Sequence, residues 1–175
     1  MAALSYIIGQ LISLALLVVL LRLLLQWVRA DFRNPIARGL VNVSNPVVVP
    51  LRRLLPAIGR IDTALVLLVV ALVMFKSAVV LMLGGASLPT PLQWLVLSAR
   101  ELARSLLWIY FFAIFLYALL SLIAPGTYSP AQALLVSLCE PVLRPLRRLI
   151  PPLGGLDLSP LWAGILIQAA LILIR

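Results

Sequence analysis

The sequence predicts an all-α membrane protein with four transmembrane helices, arranged as two parallel repeats of helix, amphipathic connector and helix. Of its 175 residues, 64% are hydrophobic and only 11% are charged, which is far more apolar than a soluble domain. Four apolar runs approach or exceed the ~20 residues that a helix needs to cross a bilayer core. A motif rich in Pro and Arg also occurs twice, which indicates an internal repeat.

The four apolar runs are residues 4–28, 63–83, 102–124 and 158–174. They are apolar on every face, as spanning helices are, whereas barrel strands would alternate apolar and polar residues. No Lys or Arg precedes Arg22, so we expect the first run to remain in the mature protein rather than to be a cleaved signal. Thr90-Pro91 predicts the start of one helix over 91–123, of roughly 50 Å, which exceeds the thickness of the bilayer core. Its first part should lie along or above the outer surface.

Two repeats become visible when the sequence is compared with itself at an offset of 95 residues. The first repeat covers 1–83 with a connector at 29–62, and the second covers 102–175 with a connector at 125–157. Residues 84–101 hold an outer linker and the start of the long helix. Because each repeat crosses the membrane twice, both copies should point the same way. The aligned positions are Asn34-Pro35 with Ser129-Pro130, Asn45-Pro46 with Glu140-Pro141, Pro50 to Leu54 with Pro145 to Leu149, Pro56 with Pro151, Gly59 with Gly154, and Asp62 with Asp157.

Each connector is predicted to contain a short amphipathic helix that lies in the membrane interface and does not cross the bilayer. Asn34 or Ser129 can cap this helix, and the Pro that follows each of them suits the first helical position. We expect the helix to end before Pro46 or Pro141, because the residue preceding Pro avoids the α region. A second short turn then presents paired Arg residues. The structural motif comprises Pro46, Pro50, Pro56, Gly59 and Asp62 in the first copy and Pro141, Pro145, Pro151, Gly154 and Asp157 in the second.

The charge distribution predicts the orientation in the membrane. The net charge is +9, and six Arg residues fall within 29–60 and three within 124–160, against only Arg100, Arg104 and Arg175 on the opposite side. Cytoplasmic loops carry an excess of Lys and Arg. We therefore place both connectors in the cytoplasm and both termini outside, and we read the basic charge as a topology signal instead of a nucleic-acid surface.

The residue types exclude most catalytic chemistry. The chain has one cysteine, Cys139, and no histidine, so it cannot form an intramolecular disulfide or a metal site built from His or paired Cys ligands. No His can activate Cys139 as a nucleophile. We expect no enzymatic activity, no cofactor and no metal.

The paired Arg residues are the candidate binding site. Arg52, Arg53, Arg147 and Arg148 could form a basic surface for anionic lipid head groups or acidic partner proteins; alternatively, they only fix the topology. Asp62 and Asp157 could pair with these Arg residues or bind a cation, although their position before an apolar run favours a helix N-cap.

Charged and small residues within the apolar runs also have two interpretations. Arg22 and Lys76 are functional candidates, because ionisable groups are costly in lipid. Alternatively, since each lies near the end of its run, its side chain could extend to the nearer membrane interface, and these two interfaces are on opposite sides of the bilayer. We favour that extension. Ser5, Gly9 and Ser13 recur every four residues, which favours close helix packing within one chain.

The two motifs NPVVVPLRRLLPAIGRID and EPVLRPLRRLIPPLGGLD, each between apolar runs, resemble those of the YggT family, also called the YlmG-like family. The resemblance covers almost the whole chain as two consecutive copies of the family unit. It implies a bacterial inner-membrane protein associated with osmotic-stress tolerance and ion uptake, with relatives linked to cell division or to cofactor attachment in plastids. No reaction is assigned to the family. Glu140 stands where the first copy has Asn45, and Gly155 where it has Arg60, so the two connectors are not equivalent.

These observations predict a non-catalytic inner-membrane protein that supports membrane homeostasis or osmotic-stress tolerance. Its basic connectors would bind anionic lipid or membrane-protein partners, and it could form a homo-oligomer. The alternative is an oligomeric channel or carrier involved in ion uptake. A pore needs a polar path, and one copy of this chain is too apolar to provide it.

Overall fold

The computed structural model describes residues 2–55, 62–84, 89–123, 129–149 and 157–174. Within these ranges every regular element is an α-helix, and there are no strands. Three helices are long and apolar enough to cross a membrane, over Ala3–Trp27, Thr63–Leu83 and Pro91–Ile123. The described residues form six helices, which are α1 (Ala2–Trp27), α2 (Pro35–Leu54), α3 (Thr63–Leu83), α4 (Pro91–Ile123), α5 (Pro130–Leu149) and α6 (Ser159–Leu173).

The fourth predicted span corresponds to α6, which has 15 residues. At ~1.5 Å per residue its length is about 22 Å, less than the ~30 Å of a hydrocarbon core. It is apolar but falls short of the other three helices in length. The predicted long helix is confirmed, because α4 is continuous over 33 residues. The side chains of Thr90 and Gln93 accept hydrogen bonds from each other's backbone N–H groups at its start, as in a capping box.

The prediction that the connector helices end before Pro46 and Pro141 is wrong. Both α2 and α5 continue through two internal Pro residues and end at the paired Arg residues, without a separate turn. Pro removes one backbone donor and crowds the carbonyl four residues earlier. Here the two Pro residues of each helix are four positions apart and exposed. Both interruptions therefore fall on one outer face, where solvent or polar head groups can satisfy the freed carbonyls.

The first of two compact units comprises Met1–Leu23 and Leu40–Ser105. Its buried core combines Leu16 and Leu20 of α1 with Val48 of α2 and with buried residues of α3. Helices α1 and α3 approach closely at Gly9, where a Cβ atom would lie 3.3 Å from Val80 Cγ2. The predicted packing of the small residues within one chain is therefore confirmed at Gly9.

The second unit comprises Leu24–Gly39 and Leu106–Arg175. Its core includes Ile114 of α4, Leu138 and Leu143 of α5, and Ile167 of α6. Asn34 performs the predicted capping, since its Oδ1 accepts from Ile36 N at 2.9 Å. Its Nδ2 also donates to the Pro130 carbonyl at 2.6 Å, which joins the first turns of α2 and α5. Four residues of the predicted motif, Pro56, Gly59, Pro151 and Gly154, lie outside the described residues.

Candidate functional site

Arg22 is the centre of a polar cluster in the first unit. Its side chain is buried, with the residue only 3% exposed. Nη1 donates to Ser44 Oγ at 2.5 Å, to Asn45 Oδ1 at 3.0 Å and to the Val41 carbonyl at 3.3 Å. Instead of ending in solvent, the Arg22 side chain reaches α2, whose acceptors replace water within the protein.

Asp62 connects the end of α2 to the start of α3. Its Oδ2 accepts from Arg52 Nε at 3.0 Å and also from Arg52 Nη2. Its Oδ1 accepts from Leu65 N at 3.3 Å and so caps α3. The carboxylate is thus both an N-cap and an Arg partner, the two roles that the sequence left as alternatives. Arg52 and Asp62 lie close enough to Arg22 to interact with its charge.

Arg147 organises a second polar cluster within the second unit. Its Nε donates to Asp157 Oδ2, its Nη1 to Glu140 Oε2 and its Nη2 to Tyr117 Oη, each at 2.9 Å. Asp157 also accepts from Ser159 N through Oδ1 at 2.9 Å. The guanidinium therefore joins α4, α5 and Asp157, which lies two residues before the start of α6, with a different acceptor for each nitrogen.

Arg147 and Asp157 of the second cluster stay ionised at physiological pH. Burial raises the pKa of Asp157, but hydrogen bonds from Ser159 and Arg147 lower it below its ordinary value overall. Burial lowers the pKa of Arg147, but the hydrogen bond to Asp157 and the nearby Tyr117 and carboxylate groups raise it above its ordinary value overall. Opposite charges and hydrogen bonds to the charged form outweigh desolvation in both residues.

The two clusters occupy equivalent sequence positions but differ in charge. At the offset of 95 residues, Arg22 aligns with Tyr117, Asn45 with Glu140, Arg52 with Arg147, and Asp62 with Asp157. The first cluster has two cations and one anion, which gives a formal charge of +1. The second has one cation and two anions, which gives −1. Sequence reasoning missed Tyr117 as a site residue, although its alignment with Arg22 was a usable signal.

The structure gives different surroundings to the four predicted Arg residues. Arg52 and Arg147 are bound to Asp62 and Asp157, ten residues further along the chain in both copies. Arg53 and Arg148 are exposed at the ends of α2 and α5. Arg52 is also exposed, and Arg147 is half-buried. The first member of each pair therefore positions the next helix through its ion pair, and the second extends the basic surface at the helix end.

Lys76 is engaged in an ion pair within the first unit. Its Nζ contacts Glu101 Oε1 on α4, a partner that sequence reasoning did not identify. One turn away from Glu101, Ser98 Oγ lies 3.2 Å from Ser77 Oγ, which accepts from Trp94 Nε1 at 2.7 Å. These contacts connect α3 to the first part of α4.

Cys139 is a buried free thiol on α5, as expected for a small apolar residue at this position. Burial raises the pKa of this thiol to about 12, so the nucleophilic thiolate is scarce at neutral pH. In the part of the chain that the structure describes, no three residues of the His, Cys, Asp and Glu types group together in an arrangement that could hold a metal ion.

Three helices of membrane-spanning length and the apolar surface they expose define an α-helical membrane protein. The chain belongs to the CCB3/YggT family, whose family model matches residues 1–83 and 96–175.

Relatives of similar length support this membership. A Pseudomonas aeruginosa protein, PA0392, is 42% identical over 90% of this chain and 81% of its own length. The YggT protein of Escherichia coli strain K12 is 37% identical over 92% of this chain and 83% of its own length. A Vibrio alginolyticus protein from the proC 3' region is 37% identical over 97% of this chain and 92% of its own length. No solved structure matches the chain.

Proposed function

We propose that the protein is a non-catalytic component of the bacterial inner membrane that supports membrane homeostasis or osmotic-stress tolerance. Its two connector helices, α2 and α5, lie along the cytoplasmic surface. Their basic C-terminal ends bind anionic lipid head groups or acidic surfaces of membrane-protein partners. No resident cofactor is required for this function.

One observation carries this proposal: each connector helix ends on two Arg residues with different surroundings. Arg52 and Arg147 are bound to the Asp that precedes the next helix. Arg53 and Arg148, one residue further on, are exposed. A topology signal needs only charge, whereas this arrangement pairs one guanidinium with an Asp and exposes the next Arg at the same place in both copies.

The proposed topology has four crossings, in two parallel repeats, with both termini outside. Helix α6 is the shortest of the four at about 22 Å. A short span is accommodated by local thinning of the bilayer at a cost of fractions of a kcal/mol per Å. The two crossings by α3 and α4 place both Arg-rich connectors on one side, in agreement with the positive-inside rule, and the crossing by α6 returns the C-terminus to the outside.

Binding of anionic lipid is tested with the full-length protein in nanodiscs that contain phosphatidylglycerol. The double variant Arg53→Gln with Arg148→Gln should weaken binding by about 2 kcal/mol, because each Arg near an anionic surface contributes about 1 kcal/mol. A second double variant, Arg53→Lys with Arg148→Lys, keeps the charge and loses the bidentate guanidinium. It should bind with intermediate affinity.

Arg100→Gln with Arg104→Gln is the matched control, because it removes the same charge from exposed positions on α4. Unchanged phosphatidylglycerol binding by the Arg53 and Arg148 variants would assign these residues to topology alone. Ion flux through proteoliposomes with no lipid preference would favour the alternative, a channel or carrier for ion uptake.

A further inference from the structure

A groove of about 1110 Å³ runs between α4 and α6 within the second unit. Its walls are mainly apolar and include Phe111, Leu161 and Ile165. On α6 the lining residues extend from Leu158 to Ile172, about 21 Å at ~1.5 Å per residue. One leaflet contributes about half of the ~30 Å hydrocarbon core. The groove is therefore long enough to hold a complete lipid acyl chain.

One end of this groove is polar and charged. Tyr117 and Asp157 line it, and both are bound to Arg147, which also binds Glu140. The side chains of Glu140 and Asp157 remain 45% and 40% exposed. Because Glu140 and Asp157 share the Arg147 guanidinium, these three residues together carry one negative charge in excess, and both carboxylates have free acceptor capacity.

We propose that the groove binds an acyl chain of a phospholipid whose head group carries a primary ammonium. The ammonium donates hydrogen bonds to Glu140 and Asp157, which compensates the excess negative charge. Arg144 and Arg148 follow Glu140 at four-residue intervals on α5 and are exposed. Residues at this spacing share a helix face, so cations are available for the phosphate of the same lipid.

A lipid chain fits this groove better than a helix from another protein. Helices in membranes associate through small residues that allow their backbones to approach, whereas Phe111, Leu161 and Ile165 are large. Gly164 lies among them, and a Cβ atom there would be 3.9 Å from Phe111 Cε2. This space accepts a flexible chain that adapts to irregular walls, and it can be filled by substitution.

This proposal differs in two respects from the proposed binding of anionic lipid by the Arg residues at the ends of α2 and α5. It specifies a head group with a primary ammonium, and its decisive residue is Glu140. The test uses native mass spectrometry of the full-length protein with phosphatidylethanolamine, phosphatidylcholine and phosphatidylglycerol of identical acyl chains. Only the first has an ammonium that donates hydrogen bonds. It should bind about tenfold more tightly than the others, as expected for one charge-assisted hydrogen bond.

Glu140→Gln keeps an acceptor for Arg147 and removes the charge, so the preference for phosphatidylethanolamine should fall about tenfold. Gly164→Leu fills the groove and should reduce retention of all three lipids. Leu166→Phe is the matched control for α6, because Leu166 is exposed and does not line the groove. It should retain lipid as the parent protein does.

A photoreactive acyl chain on phosphatidylethanolamine provides a measurement that is independent of the variants. In the parent protein, crosslinks should map to groove residues such as Phe111 and Ile165. Crosslinks elsewhere, equal binding of the three lipids, or full lipid retention by Gly164→Leu would overturn the proposal. Tighter binding of phosphatidylglycerol would assign the groove to anionic lipid, and a lipid-free dimer that Gly164→Leu dissociates would assign it to a second copy of the chain.

Discussion

At the scale of single residues, Arg22 has a structural role that its position near a helix end concealed. The side chain of a residue within a turn or two of a membrane surface can usually reach water. Here Ser44 and Asn45 on α2 provide acceptors at 2.5 and 3.0 Å. Hydropathy could locate Arg22 within an apolar run, but only the packing of α1 against α2 identifies what it binds.

Replacement of Arg22 should destabilise the protein markedly. Arg22→Met keeps the length of the side chain but leaves Ser44 and Asn45 without their charged donor, at a cost of about 2 kcal/mol. Thermal unfolding in detergent, followed by circular dichroism, should show a clear decrease in Tm. Arg104→Met, at an exposed position on α4, should change stability by less than about 0.5 kcal/mol. Equal Tm values for the two variants would contradict this role of Arg22.

The ion pair of Arg147 and Asp157 predicts a specific response to acid. The pKa of Asp157 in the folded state lies below its ordinary value of 3.8. The contribution of ionised Asp157 to the stability of the fold is therefore fully present above pH 3.8, and it is lost as the pH falls through the lowered pKa. We expect this contribution to be constant from pH 8 to 5. It should decrease only below about pH 4.

The Asp157→Asn variant isolates this contribution in thermal unfolding measured across the same pH range. The difference in Tm between parent and variant should be constant above pH 5 and should shrink in stronger acid. A difference that changes between pH 8 and 6 would indicate that another group titrates, and the assignment to Asp157 would be wrong.

At the scale of the helices, the sequence predicted where the connector helices begin but not where they end. Asn34 and Ser129 each accept a backbone N–H hydrogen bond near the start of the predicted helix, because capping depends on local chemistry. The ends depend on whether the carbonyls released by Pro have other partners. Whether those carbonyls find partners depends on the exposure of the helix face that carries the Pro residues. A local sequence rule for Pro does not include this exposure.

Pro46 and Pro50 should therefore reduce the stability of α2 without being needed to form it. Pro is about 3 kcal/mol less favourable than Ala in a helix interior, and both residues are exposed. Pro46→Ala should raise the free energy of unfolding by about 1 to 3 kcal/mol. Chemical denaturation in mild detergent measures the change, with the exposed Val47→Ala as the neighbouring control. A destabilised Pro46→Ala variant would show that the Pro ring makes a required contact.

At the scale of the whole molecule, the helices were predicted well, because helix formation in an apolar sequence depends mainly on two properties. These are the periodicity of the apolar residues and the length of the apolar run. The helix bounds of α3 and α4 agree with the predicted ranges. The polar clusters were harder to predict, since Tyr117 of α4 meets Arg147 of α5 only after these helices pack. The repeat offset aligns Arg22 with Tyr117, but alignment alone does not show that both contact a connector helix or its end.

The number of crossings decides the topology of the molecule, and α6 is the critical helix. Three crossings would place the termini on opposite sides, whereas four place both outside. We expect four, with both connectors in the cytoplasm, because nine Arg residues in the connectors oppose Arg100, Arg104 and Arg175 and the charge bias sets the orientation; a crossing by α6 then places the C-terminus outside. A reporter that is active only outside the cytoplasm should work when fused before Met1 or after Arg175. A reporter that is active only in the cytoplasm should be silent at both ends. Activity of the cytoplasmic reporter after Arg175 alone would show that α6, with its length of about 22 Å, does not cross. Activity of that reporter at both ends would show that the four crossings run in the opposite direction, with the Arg-rich connectors outside.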